Sequence, residues 1–244
     1  MADTKPVNIM GAGLSGLAAA TVLAKSGIEV HVHDIREESG ARFDGDFQAL
    51  ENWSMDDDFF DQLESWGFDT SEFKATEFNV VDLIHPDDTI TQAKSPRIAY
   101  RIVERGTSSH TIDQGIKRQA LAAGAKIHYK SKVNEEDCQI IACGPKGTSA
   151  VAYGEIFHTD HPNHIAFQLN DKLAPGAYSY LIIIDGVGLI CTCLWRKQKK
   201  SDRFLNETIA WYDKHYPNLN RKPIKRVGGK GDFTINKNYF QDGR

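Results

Sequence analysis

The spacing of hydrophobic positions changes along the chain, and the change divides it. Val7 to Met10 is a short apolar run that predicts a strand. Leu14 to Lys25 is alanine-rich with helical spacing and stops at Gly27, a residue suited to the turn that closes a helix. Glu29 to His33 predicts a second strand, closed by Asp34, and residues 35–46 are polar and glycine-bearing, as in a loop. Met55, Phe59, Leu63 and Trp66 recur at helical spacing and predict a core-facing helix. Strands are expected at 77–84 and 98–104, with a turn at Pro86-Asp87-Asp88 between them. A helix follows at 112–123, ending in Gly124. Short strands come next at 126–129 and 139–142, the second running into Cys143-Gly144-Pro145.

The pattern then becomes mostly strands. Strands are predicted at 165–169, 178–184 and 187–195, the last two joined by Asp185-Gly186, a strong hairpin signal. One helix is expected at 203–216, stopped by Pro217. Extended segments at 225–227 and 233–235 flank Gly228-Gly229-Lys230-Gly231. The fold class is therefore α/β: a Rossmann-like domain over residues 1–150, with an antiparallel insertion around 77–104, then a mostly antiparallel β-sheet domain over 151–244.

Composition narrows the function classes. The 244 residues carry a net charge of −4, which gives no reason to expect a nucleic-acid partner. No run approaches the ~20 apolar residues of a membrane span, although peripheral membrane contact stays open. Asp3 stands where a secretory leader would be basic, so the expected location is cytoplasmic. The four cysteines, Cys138, Cys143, Cys191 and Cys193, do not look like a disulfide framework, and Cys191 and Cys193, alternating on a predicted strand, read as small buried hydrophobes. His158, His161 and His164 surround Pro162, which breaks any helical face, so they read as a polar loop between domains and no metal site is expected. Lys222, Lys225, Arg226 and Lys230 around the glycine run could meet a phosphate, with a tight turn between strands as the plainer reading.

The chemistry concentrates in Gly11-Ala12-Gly13-Leu14-Ser15-Gly16 and Asp34. Strand, glycine turn, helix, strand and acid, in that order, form a dinucleotide-binding βαβ signature. Gly11 permits the tight turn, Gly13 leaves room for a pyrophosphate, and Gly16 lets the helix lie close on the strands. The helix N-terminus offers unpaired N–H groups and a partial positive charge. Asp34 suits two ribose hydroxyls and would repel a 2′-phosphate, so FAD or NAD fits better than NADP.

The sequence resembles the FAD-dependent geranylgeranyl reductases, within the wider para-hydroxybenzoate-hydroxylase-like flavoproteins. GAGLSG with Asp34, GARFDGDFQALENW at 40–53, YRIVERG at 100–106 with the TIDQGIKRQALAAGAKI that follows, IIACGPKG at 140–147 and PGAYSYLIIIDGVG at 175–188 carry the likeness. The resemblance implies a Rossmann-like FAD-binding domain and a substrate domain, with FAD extended across Gly11 to Gly16 and its adenosine ribose on Asp34 beside Ile35. It places Arg42 near the phosphates or ribityl chain, Arg105 on the flavin side, Val133 against adenine, and Cys143 and Gly144 over the same end. Ala41 stands where the family usually has glycine. A later Gly-Asp segment of the family would fall beyond Arg244, so the natural protein is expected to be longer.

By this resemblance the reaction is reduction of a double bond in an isoprenoid or similarly apolar small molecule, with electrons from an external donor. No catalytic side chain is identified, because flavin chemistry requires none placed by spacing. A monooxygenase, halogenase or cyclase on the same fold is the alternative. An NAD-dependent dehydrogenase and a non-catalytic nucleotide-binding protein are the other classes considered.

Overall fold

A computed structural model describes residues 5–233. The first part runs β1 (Val7–Met10), α1 (Leu14–Lys25), β2 (Val30–His33), β3 (Phe47–Glu51), α2 (Phe59–Ser65) and β4 (Ala75–Phe78). The middle adds β5 (Val80–Ile84), β6 (Ile90–Lys94), β7 (Tyr100–Glu104), α3 (Ile112–Ala122), β8 (Lys126–His128) and β9 (Ile140–Ile141). The remainder is β10 (Ala150–His158), β11 (His164–Gln168), β12 (Ser179–Ile184), β13 (Val187–Leu194), α4 (Ser201–His215) and β14 (Lys222–Gly231).

Residues 5–75 and 103–144 make one compact unit. Its parallel sheet has the order β8-β2-β1-β9. Alternation sends Ile9, Val30 and Val32 to one face, where Leu17 and Ala20 of α1 and Ile116 and Ala120 of α3 bury them. Ala20 and Ala120 are small enough for the two helices to lie close. Thr111 caps α3 by accepting from the Gln114 N–H.

Residues 76–102 and 145–233 make the second unit, around a seven-stranded sheet ordered β14-β10-β13-β12-β11-β5-β6. Every pairing in it is antiparallel except β5 with β11. Leu205, Ile209 and Tyr212 of α4 pack on Ile84, Ala166, Leu181, Ile183 and Ile190. A third sheet has the order β3-β7-β4, and β4 and β7 contain the points where the chain crosses from one unit to the other.

Several expectations are corrected. The segment at 76–102 interrupts the first unit in sequence, and parallel pairing of Ala166–Gln168 with Asp82–Ile84 places it in the sheet of the second unit. The strand expected at 77–84 is two strands, because the chain leaves one sheet at Asn79 and joins another. The Met55–Trp66 helix shortens to α2. Asp58 accepts from the Phe60 N–H and fixes the start there, and Phe60 and Leu63 face the core while Trp66 is exposed. Strands β3, β6 and β10 were not expected.

The glycine run is not a turn. Gly228 to Gly231 continue β14 and pair with Ala150 to Tyr153, so their N–H groups do not converge on an anion. His158 ends β10 and His164 begins β11, so the histidine segment lies within the second unit rather than between domains. His164 Nε2 sits 3.2 Å from the Asp82 carboxylate, and burial is the main cause that lowers its pKa. Among the described residues, no three His, Cys, Asp or Glu side chains gather as a metal set. The strand expected at 233–235 falls mostly outside the described residues. No described helix is long and apolar enough to cross a membrane.

Candidate functional site

The C-terminal ends of β2, β1 and β9 lie side by side, where ligands bind in open parallel sheets. Gly11 leaves β1 with φ +105°, and its N–H donates to the His33 carbonyl at 2.7 Å. A Cβ there would lie 2.5 Å from the Ala142 carbonyl oxygen, so backbone packing and dihedral both demand glycine. At Gly16 a Cβ would sit 1.9 Å from the Gly11 carbonyl oxygen, which is why α1 can lie against the turn.

Gly13 differs. It precedes α1 with φ −83°, and a Cβ built on it meets nothing within 4 Å. No side chain caps the helix, and its first turn holds no acid. Leu14 is half-buried and Ser15 is exposed on that turn. An uncapped N-terminus beside open space is suited to an anion, so the residues present fit the pyrophosphate of a dinucleotide.

Asp34 accepts from the Ala12 N–H through Oδ2 and from the Arg36 N–H through Oδ1, both at 2.8 Å. Its carboxylate is thereby oriented by the backbone on either side, and each oxygen keeps acceptor capacity for a sugar hydroxyl. Lys130 and Ser131 N–H groups bond the Arg36 and Asp34 carbonyls, which draws the segment leading to half-buried Val133 alongside Asp34. Ile35 is 71% exposed at the same edge.

Arg42 and Gly144 are brought together, since a Cβ on Gly144 would lie 3.5 Å from an Arg42 guanidinium nitrogen. Cys143 is exposed, with its Sγ 3.6 Å from the Met10 carbonyl. Arg105 does not present a free guanidinium. It is 8% exposed, grips Asp113 at 2.7 and 2.9 Å, and donates to Gln48 at 2.8 Å. All its nitrogens are used within the first unit, and its cation lies over the Phe43 ring, as does that of Arg42. Arg105 therefore holds the 40–48 segment, with three of its five N–H donors engaged by Asp113 and Gln48.

Asp46 was not anticipated. Its carbonyl accepts from the Arg105 N–H at 2.8 Å, and burial pushes its carboxyl up to about 6. The Gly-Asp pair at 45–46 was the only sequence signal, and spacing does not reveal burial. His33 was missed too: it precedes Asp34, stacks on His128 at 4.8 Å, and is held below the ordinary histidine value by burial, then by the charges of His128 and His31.

In the second unit, the side of the sheet away from α4 carries Tyr180 and Phe167, which alternate with the residues that α4 buries. Tyr100 and Tyr178 complete a ring cluster around Phe167, with centroids 5.3 and 6.1 Å from it.

Comparison with known proteins agrees with this geometry. Residues 9–46 match the family model described as the NAD(P)-binding Rossmann-like domain. Hydroxysqualene dehydroxylase of Rhodopseudomonas palustris is 43% identical over 53 residues, which are 22% of this chain and 13% of that protein. A geranylgeranyl bacteriochlorophyll reductase-like protein from Thermoplasma acidophilum superposes with a TM-score of 0.67 at 17% identity, over 92% of this chain and 65% of its own. Aklavinone-11 hydroxylase, solved with FAD and aklavinone, gives 0.60 at 14% identity, over 94% and 54%. The flavin-dependent halogenase CmlS gives 0.58 at 12% identity, over 94% and 50%. The chain thus spans between half and two-thirds of the length of these structures. It shares their fold, an α/β Rossmann-type part followed by a largely antiparallel sheet.

Proposed function

We propose that this chain is the FAD-holding and sheet-forming part of a flavoprotein oxidoreductase that reduces a double bond in an isoprenoid or similar apolar molecule. The open backbone at Gly13, beneath an uncapped helix and beside Asp34, carries the reading. Gly11, Ala12, Gly13, Leu14, Ser15 and Gly16 receive the pyrophosphate, and Asp34 with Ile35 holds the adenosine ribose. Val133, Cys143 and Gly144 line the adenine-bearing end, with Arg42 reaching the phosphates. Arg105 acts by holding Gln48 and Asp113.

Reduced flavin, when bound, supplies hydride to a substrate carbon or activates oxygen. The chain's own part is to orient the ring and keep water from the substrate. The Tyr100, Phe167, Tyr178 and Tyr180 cluster is the apolar wall we assign to the substrate. Two relatives favour a polyprenyl substrate by name, one as a geranylgeranyl reductase-like protein and one as a dehydroxylase of hydroxysqualene. The hydroxylase and halogenase neighbours favour oxygen chemistry as the second reading.

Titration of the purified protein with FAD tests the first step. Stoichiometric binding with a shifted flavin spectrum is expected, and binding of NAD without FAD would overturn the assignment. Substrate-coupled oxygen uptake by the reduced protein would replace the reductase reading with the oxygenase one.

A further inference from the structure

Charge is distributed unevenly along the chain. Residues 195–233 hold eleven Lys and Arg against four acids, whereas the whole protein is at −4. The structure gathers much of this excess at one end of the seven-stranded sheet. Leu194, at the end of β13, and Lys230, on β14, both face Val151 of the strand between them. The loop Trp195-Arg196-Lys197-Gln198-Lys199-Lys200 leaves β13 there, pinned by the Gln198 side chain donating to the Ser149 carbonyl at 2.8 Å. Lys197, Lys199, Lys200 and Lys230 are exposed.

Asp171 pairs with Arg196 and lies near Lys197, but the four acids of 195–233 are engaged away from Lys199, Lys200 and Lys230. Asp202, Glu207 and Asp213 pair with Arg226, Arg203 and Arg221. Asp232 turns to the Gly147 N–H and the Ser149 hydroxyl. Beside the lysines stand two large apolar rings, Trp195 at 55% and Phe233 at 63% exposure, 5.5 Å apart. Lysine on an open edge strand alone would be read as a guard against edge-to-edge pairing. A guard has no use for an exposed Trp–Phe pair, whereas aromatic rings ringed by lysine match a bilayer interface, where rings sit at headgroup depth and lysines meet anionic lipid.

We propose that this corner of the second unit, formed by the 195–200 loop, Lys230 and Phe233, docks the protein on an anionic phospholipid surface. The inference goes beyond the proposed activity and does not rest on it, since it uses no residue of the dinucleotide site.

Co-sedimentation of the intact protein with vesicles is the test. Binding is expected to phosphatidylcholine vesicles containing phosphatidylserine, and not to phosphatidylcholine alone, and it should weaken as salt rises. The Lys199→Glu/Lys200→Glu variant should bind at least about 20-fold more weakly, at roughly fivefold per lost lysine. Trp195→Ala/Phe233→Ala should lose the portion that survives high salt. Lys94→Glu, on β6 at the opposite edge of the sheet, should bind as the parent does. Matching circular dichroism and melting curves would establish that the variants fold. No binding to the anionic vesicles, or equal binding by all three variants, overturns the proposal and leaves the lysines as an edge guard.

Discussion

The Asp34 carboxylate accepts a hydrogen bond from the Ala12 backbone at 2.8 Å, which joins the acid ending β2 to the middle of the glycine turn that ends β1. The acid therefore sets the shape of the turn as well as offering oxygens to a sugar. Replacing it removes both functions. Asp34→Ala should lower stability by about 1–3 kcal/mol by leaving the Ala12 N–H unpaired, and should weaken FAD binding. Asp34→Asn retains one acceptor and should fall between alanine and the parent. Thermal melts with and without FAD check both.

Gly13 and Gly16, three residues apart, should respond in opposite ways. Gly13 faces open space at an ordinary φ, so Gly13→Val should change the melting free energy by no more than about 1 kcal/mol. Flavin content should nonetheless be lost, because the side chain fills the space a phosphate needs. Gly16→Ala forces a carbon onto the Gly11 carbonyl and should cost more than about 2 kcal/mol even without ligand. Stoichiometric flavin retained in Gly13→Val would refute the phosphate placement.

Arg105 and Asp113 form a buried pair, the acid fully so. Arg105→Ala leaves that carboxylate without its cation and should destabilise by roughly 3–5 kcal/mol. The double variant Arg105→Met/Asp113→Leu should recover much of the loss, as no unpaired charge remains. Chemical denaturation of the single and double variants measures the coupling.

Asp46 gives the first unit a pH signature. Its folded pKa of about 6 lies above the ordinary value of 3.8, so the folded state binds the proton more tightly than the unfolded chain. Its contribution to stability is therefore full below pH 3.8, declines as pH rises from 3.8 to 6, and becomes a fixed penalty above 6. Asp46→Asn should stabilise the protein by about 2 kcal/mol at pH 8 and by little at pH 4. Denaturation at the two pH values checks the sign.

The first 34 residues were legible because their signals are local. A glycine turn, an alanine-rich helix and an acid at the next strand end each restrict the backbone within a few residues, and the sheet of the first unit forms around them. The fold class and the Asp185-Gly186 hairpin were readable for the same reason. Tertiary structure decided the rest through partners distant in sequence. β10 has no clear alternation, yet pairs with both β13 and β14, and Ile156 and Phe157 are both buried. Gly228 to Gly231 look like a turn but extend because β10 supplies their hydrogen bonds. Arg105 was expected on the flavin side, and only packing revealed that Asp113 and Gln48 take three of its five donors. Sequence alone fixes conformations whose energy depends on neighbours in the chain. Burial, pairing register and the use of a charge depend on which remote segment arrives, and folding decides that.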